Sequence, residues 1–103
     1  MELAELAKAN GIRVVMASVL PVYTYSWRPE IQHPAQTIVA LNQWISDYAR
    51  SHGAVYLDYH SAMKDERLGL RSDLTRDGVH PTEAGYRVMA PLTIAAIQEA
   101  LRK

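Results

Sequence analysis

Asp77 and His80, three residues apart, are the side chains of this 103-residue chain whose types and spacing best suit moving a proton. Gly78 between them lets the backbone fold back so that the carboxylate meets the imidazole. A carboxylate placed there fixes the ring tautomer and stabilises the imidazolium formed when histidine accepts a proton. Pro81 follows and favours an extended backbone at His80, holding it at the entrance of the next helix. Taken alone, the pair would more often be a carboxylate capping a turn beside a surface histidine.

Other chemistry-bearing residues are less well placed. Ser18 ends an apolar segment, near where a site would form, but serines there more often bond the backbone. Ser61 and Ser72 have less still to recommend them as nucleophiles. Asp58 and His60 offer two metal-type ligands without a third and without a helical spacing, so no metal site is expected. Asp73 rivals Asp77 but lacks the tight link to His80. Tyr25 and Trp27 are candidate substrate-binding residues, in a loop where Tyr23, Tyr25 and Trp27 alternate with Thr24 and Ser26. They suit a cleft wall or an acyl-chain contact, and equally edge packing against a neighbouring helix. Arg28 and His33 could line its mouth, although exposure to solvent is the simpler expectation. Trp44 reads as a packing residue, and Gly85 as a point of close approach in the first turn of the last helix.

The elements that must position Asp77 and His80 follow from periodicity. Leu3, Leu6 and Ala7 share one face of a short helix stopped at Asn10-Gly11. Ile12 to Leu20 is nearly continuously apolar and β-branched, the pattern of a strand buried on both faces of a parallel sheet, and Pro21 ends it. After a loop from Val22 to Pro34, Ala35 to Ser51 places Ile38, Leu41, Ile45 and Tyr48 at helical spacing. His52-Gly53 stops that helix, and Ala54 to Asp58 is a second short strand. A long polar loop runs from Tyr59 to Pro81, and a final helix from Thr82 to Leu101 opens with Thr82 as its cap and is kinked or broken at Pro91. Two strands joined through a helix form a parallel βαβ crossover of the α/β class. Ligand sites in such sheets lie beyond the carboxyl ends of the strands, where the long loop should arrive.

Bulk composition excludes several classes. Eleven basic and eleven acidic residues cancel without clustering, so neither nucleic acid nor an anionic membrane is an expected partner. The absence of cysteine removes disulfides, thiolate metal sites and cysteine nucleophiles, and no cofactor is expected. No apolar run approaches the roughly 20 residues of a membrane span, and residues 1–5 lack a secretion-signal pattern, so a cytoplasmic location is expected for the chain as it stands. One domain over residues 1–103 is expected. Two strands, however, fall short of the three or more that usually make a sheet independently stable, and no capping residue precedes the first helix. Both features fit a C-terminal piece of a larger α/β domain.

The longer run Leu74-Thr75-Arg76-Asp77-Gly78-Val79-His80-Pro81-Thr82-Glu83-Ala84-Gly85-Tyr86 resembles the closing motif of the SGNH hydrolases, or GDSL-like lipases and acylhydrolases. Ala17-Ser18-Val19-Leu20-Pro21 resembles that family's fourth-strand ending, and the element order resembles its C-terminal half. The resemblance implies a flavodoxin-like fold and hydrolysis of carboxylic or acetyl esters by a Ser-His-Asp mechanism. Asp77 would then orient His80, and His80 would act as general base and acid on a small ester substrate. The family's Gly-Asp-Ser nucleophile motif and Gly-x-Asn-Asp oxyanion motif are missing: the five glycines are followed by Ile12, Ala54, Leu70, Val79 and Tyr86. The alternative expectation is a catalytically inactive association module, forming homo-oligomers through the exposed edge of Val14 to Val19.

Overall fold

Helix α1 (Leu3–Ala9) ends where Gly11 adopts a left-handed φ of 71° and sends its amide back to the Lys8 carbonyl at 3.1 Å. Strand β1 (Val15–Ala17), helix α2 (Pro34–Ser51), strand β2 (Val55–Leu57), helix α3 (Tyr59–Met63), a short 3-10 turn (Ser72–Leu74) and helix α4 (Glu83–Leu101) follow. This is a computed structural model, and it describes residues 3–25, 28 and 30–103. Gly53, at φ 69°, turns the chain from α2 into β2.

The strands pair parallel, with Val15 opposite Val55 and Ala17 opposite Leu57. Helix α2 packs on one face of this pair and α4 on the other, giving the α/β layering expected of a crossover unit. Strand β1 is corrected in two respects. It spans three residues rather than nine, and its side chains are half-buried or exposed rather than buried on both faces. A ladder extends only as far as its partner does, and β1 has one neighbouring strand among the described residues.

Two apolar clusters hold the layers. In the first, Val55 and Leu57 of β2 meet Ala96 and Ala100 of α4, with Val15 and Leu92 packed alongside. In the second, Met63, Leu70 and Leu74 are at most 5% exposed and are flanked by Leu20, Val88 and Met89. Each such side chain contributes roughly 1.5–3 kcal/mol on burial. The second cluster matters most for function because it pins the segment after β2 onto the first half of α4.

That segment is more ordered than a polar loop. Asp58 caps α3, its carboxylate accepting from the Ser61 amide at 3.0 Å and the Ser61 hydroxyl at 2.6 Å. Asp65 accepts from the amides of Arg67 and Gly69, and the Arg67 guanidinium lies 4.3 Å over the Tyr23 ring. The loop after β1 is thereby tied to the loop after β2.

In α2 the buried positions are Pro34, Ala35, Ile38, Asn42 and Ala49, so the inward stripe runs through an asparagine. The Asn42 amide holds the Val19 backbone from both sides, accepting from its N–H at 2.7 Å and donating to its carbonyl at 3.1 Å. Leu41 stays 44% exposed and Trp44 60% exposed, and Trp44 packs at the surface of the helix, stacked on Tyr48 with ring centroids 5.2 Å apart. Thr82 takes the cap position of α4 in extended conformation, but its side chain makes no capping bond. Helix α4 runs unbroken through Pro91. Among the described residues no helix is long and apolar enough to cross a membrane.

Gly85 sits where α4 meets the loop. A Cβ there would lie 2.7 Å from Pro81 Cβ and 2.9 Å from the Leu74 carbonyl oxygen. A backbone atom cannot swing aside, so Gly85→Ala should cost about 1–3 kcal/mol. Urea or thermal unfolding should show the loss, with the melting temperature down by roughly 4 °C or more. An unchanged melting temperature would contradict the close approach.

Candidate active site

The segment from Leu74 to Pro81 closes on itself before entering α4. Thr75 and Pro81 form an isolated antiparallel bridge at its base, and the Thr82 amide donates to the Leu74 carbonyl at 2.8 Å. Leu74, 2% exposed, anchors the outgoing arm in the second apolar cluster. At the tip, Gly78 takes a φ of 82°, a conformation open to glycine at little steric cost.

Within this loop the carboxylate of Asp77 is the organising acceptor. Oδ1 accepts from the amides of Val79 at 2.9 Å and His80 at 2.8 Å, while Oδ2 lies 2.7 Å from His80 Nδ1. The His80 amide, then the imidazole, then the Val79 amide hold the Asp77 carboxyl well below the usual carboxylate range. The ionised carboxylate can only accept, so Nδ1 carries a proton, and in the neutral ring the lone pair is left on Nε2. This is the tautomer that a general base needs. The His80 side chain is 77% exposed and that of Asp77 49%, so water screens their attraction. Backbone donors, rather than the charge pair, fix the geometry.

Thr75 was not singled out by motif reasoning, yet it braces the pair. Its hydroxyl donates to the His80 carbonyl at 2.8 Å and accepts from the Gly78 amide at 3.0 Å. The available signal was a threonine two residues before a carboxylate in a turn, a common way of bonding local backbone.

Beside the pair lies an open depression of about 400 Å³, lined by Arg76, Asp77, His80, Pro81, Thr82 and Glu83. Tyr25 is half-buried and does not line it, and Trp27 lies outside the described residues. Asp73 is taken up by Arg71, whose Nε and Nη2 donate to its two oxygens at 3.2 and 3.1 Å. Ser18 is buried, and its hydroxyl accepts from the His60 amide at 3.0 Å, the backbone-bonding role expected of it. His60 is a buried residue of α3, with burial first and Lys64 second lowering its pKa. Among the described residues no group of three or more His, Cys, Asp or Glu is placed to hold a metal ion.

The layered α/β unit thus carries a turn-locked Asp–His pair at the entrance of its last helix. Residues 2–88 match the model of the GDSL-like Lipase/Acylhydrolase family, and the chain belongs to that family. Its backbone is similar to a GDSL-like lipase from Bacteroides thetaiotaomicron, with a TM-score of 0.87 and 42% identity over 95% of this chain and 48% of that one. It is also similar to a protein assigned as an acylhydrolase from Bacteroides fragilis, with a TM-score of 0.89 and 39% identity over 96% of this chain and 48% of that one. An acetylxylan esterase of Xylanibacter ruminicola is 25% identical over 92 residues, which cover 89% of this chain and 18% of that protein. The chain thus spans about half the length of these solved relatives and a smaller share of the esterase.

The lowered pKa of Asp77 has a definite sign in stability. The folded carboxyl binds fewer protons than a free aspartate, so its contribution is fully present above about pH 4 and is lost as pH falls through the depressed value. Carbon-13 NMR of the Asp77 carboxyl should give a midpoint below the ordinary value of 3.8. A midpoint at or above that value would show that the three donors do not engage it.

Proposed function

We propose that this chain supplies the acid–base half of a carboxylic ester hydrolase, with the nucleophilic serine and the oxyanion donors contributed by residues outside these 103. The observation that carries the reading is the 2.7 Å contact between His80 Nδ1 and an ionised Asp77 carboxylate, which leaves the neutral ring's lone pair on Nε2. Membership of an acylhydrolase family and similarity to an acetylxylan esterase favour esters of short acyl groups, acetyl esters of sugars among them.

In this reading His80 Nε2 removes the proton of the incoming serine hydroxyl as its oxygen attacks the ester carbonyl. Asp77 stabilises the imidazolium and remains ionised throughout. His80 then gives the proton to the departing alcohol, leaving an acyl-serine. A water molecule next loses a proton to His80 and attacks the acyl carbon. Return of that proton to the serine oxygen releases the carboxylic acid. Tyr25 and Trp27 are proposed as contacts for the acyl or sugar group.

The test uses two forms of the protein. The chain alone should show no burst with p-nitrophenyl acetate and no turnover, relative to its His80→Ala variant, beyond the slow attack on this activated ester that free imidazole makes at equal concentration. Joined in frame behind the unmatched half of the Bacteroides thetaiotaomicron relative, it should hydrolyse the ester, and His80→Ala should lower kcat/KM by about 10³–10⁴-fold. His80-dependent turnover by the chain alone above that background, or a fused enzyme indifferent to His80→Ala, would overturn the assignment.

A further inference from the structure

The side chains of Asp77 and His80 are 49% and 77% exposed, so packing within this chain does not aim them. Their orientation has to reach them through the backbone of the loop. We propose that Thr75 is a positioning residue for the proton-transfer step, aiming the His80 ring through the backbone without touching substrate. The proposal rests on the reading of His80 as general base and acid.

A threonine hydroxyl has one hydrogen to give and two lone pairs to receive. At Thr75 the hydrogen goes to the His80 carbonyl at 2.8 Å, and the oxygen accepts from the Gly78 amide at 3.0 Å. Asp77 Oδ1 lies 3.3 Å from the same hydroxyl, a longer contact that would have to share that one hydrogen. A single oxygen thereby joins the glycine of left-handed φ at the tip to the residue that carries the imidazole. Every partner in this brace lies between residues 75 and 80.

Thr75 is itself held. Its neighbour Leu74 is 2% exposed in the second apolar cluster, and the Leu74 carbonyl accepts from the Thr82 amide at 2.8 Å. The Thr75 backbone is extended, with φ −151° and ψ 155°, and pairs with Pro81 in an isolated antiparallel bridge. A β-branched side chain has few rotamers on such a backbone, so the hydroxyl is aimed by the main chain.

Asp77 and Thr75 therefore divide the task. Asp77 rides on the turn: its Oδ2 meets the ring and its Oδ1 takes the amides of Val79 and His80. It holds the imidazole relative to the loop. Thr75 belongs to the arm anchored in the core, and it holds the loop relative to the body of the domain. A general base must stay within hydrogen-bond reach of the proton it removes. Misplacement by about 1 Å can lower the rate by roughly a hundredfold.

Three substitutions test this. Thr75→Val removes the hydroxyl at nearly constant volume, Thr75→Ala removes it without leaving a methyl against the Gly78 amide, and Thr75→Ser restores it. In the 103-residue chain, the carbon-13 midpoint of the Asp77 carboxyl should rise towards 3.8 in the valine and alanine variants. It should keep the parent value in Thr75→Ser, with the far-ultraviolet circular dichroism unchanged throughout. In the fused protein, Thr75→Val and Thr75→Ala should lower kcat by about 10–100-fold while KM stays within about threefold. Thr75→Ser should recover most of kcat. A midpoint and a kcat indifferent to loss of the hydroxyl, a loss in KM rather than kcat, or a serine variant as poor as valine would each overturn the proposal. A fused protein indifferent to His80→Ala removes the proposed activity instead, and the Asp77 midpoint then decides alone. Raised by valine or alanine and restored by serine, it keeps the hold of Thr75 on the pair; unmoved, it overturns that hold.

Discussion

The described residues are organised by a parallel ladder of two strands. The pairing of Val15–Ala17 with Val55–Leu57 sets the distance between α2 and α4, and α4 in turn is the platform for the loop carrying Asp77 and His80. Three residues per strand is a short ladder, so the layers depend on side-chain packing. Val55 and Leu57 meet Ala96 and Ala100 in the second half of α4, and Met63, Leu70 and Leu74 clamp the loop onto its first half. Removing that second cluster would release Leu74 and with it the base of the turn carrying Asp77 and His80.

At the turn itself, rigidity comes from local donors rather than from burial. Both catalytic candidates are open to water, yet the Asp77 carboxylate takes two amides and one imidazole, and the Thr75 hydroxyl ties the His80 carbonyl to the Gly78 amide. Such a turn can hold its geometry before any partner covers it. The tautomer of the histidine is thereby set within the loop itself.

Legibility in the sequence varied with how local the cause was. The Asp77–His80 pair, the glycine stops at Gly11 and Gly53, and the crossover order were all readable because each is set within a few residues. Helix α3 and the 3-10 turn were not, because both are short and depend on Asp58 capping and on Leu74 finding its cluster. Asn42 was missed as a buried position since its partner, the Val19 backbone, is 23 residues away. The error over β1 is the most informative. Ile12 to Leu20 has the apolar composition of a strand buried on both faces, but among the described residues its three paired positions are half-buried or exposed and one strand pairs with it. Trp44 fits the same pattern, apolar in type and exposed in place.

The central claim is that His80 acts on a serine that this chain does not contain. Fluorophosphonate labelling of the fused two-half protein, with the adduct located by peptide mass spectrometry, tests it most directly. The adduct should fall on a serine outside the 103 residues and disappear in His80→Ala. An adduct on Ser18, or on any other residue of this chain, would contradict the account.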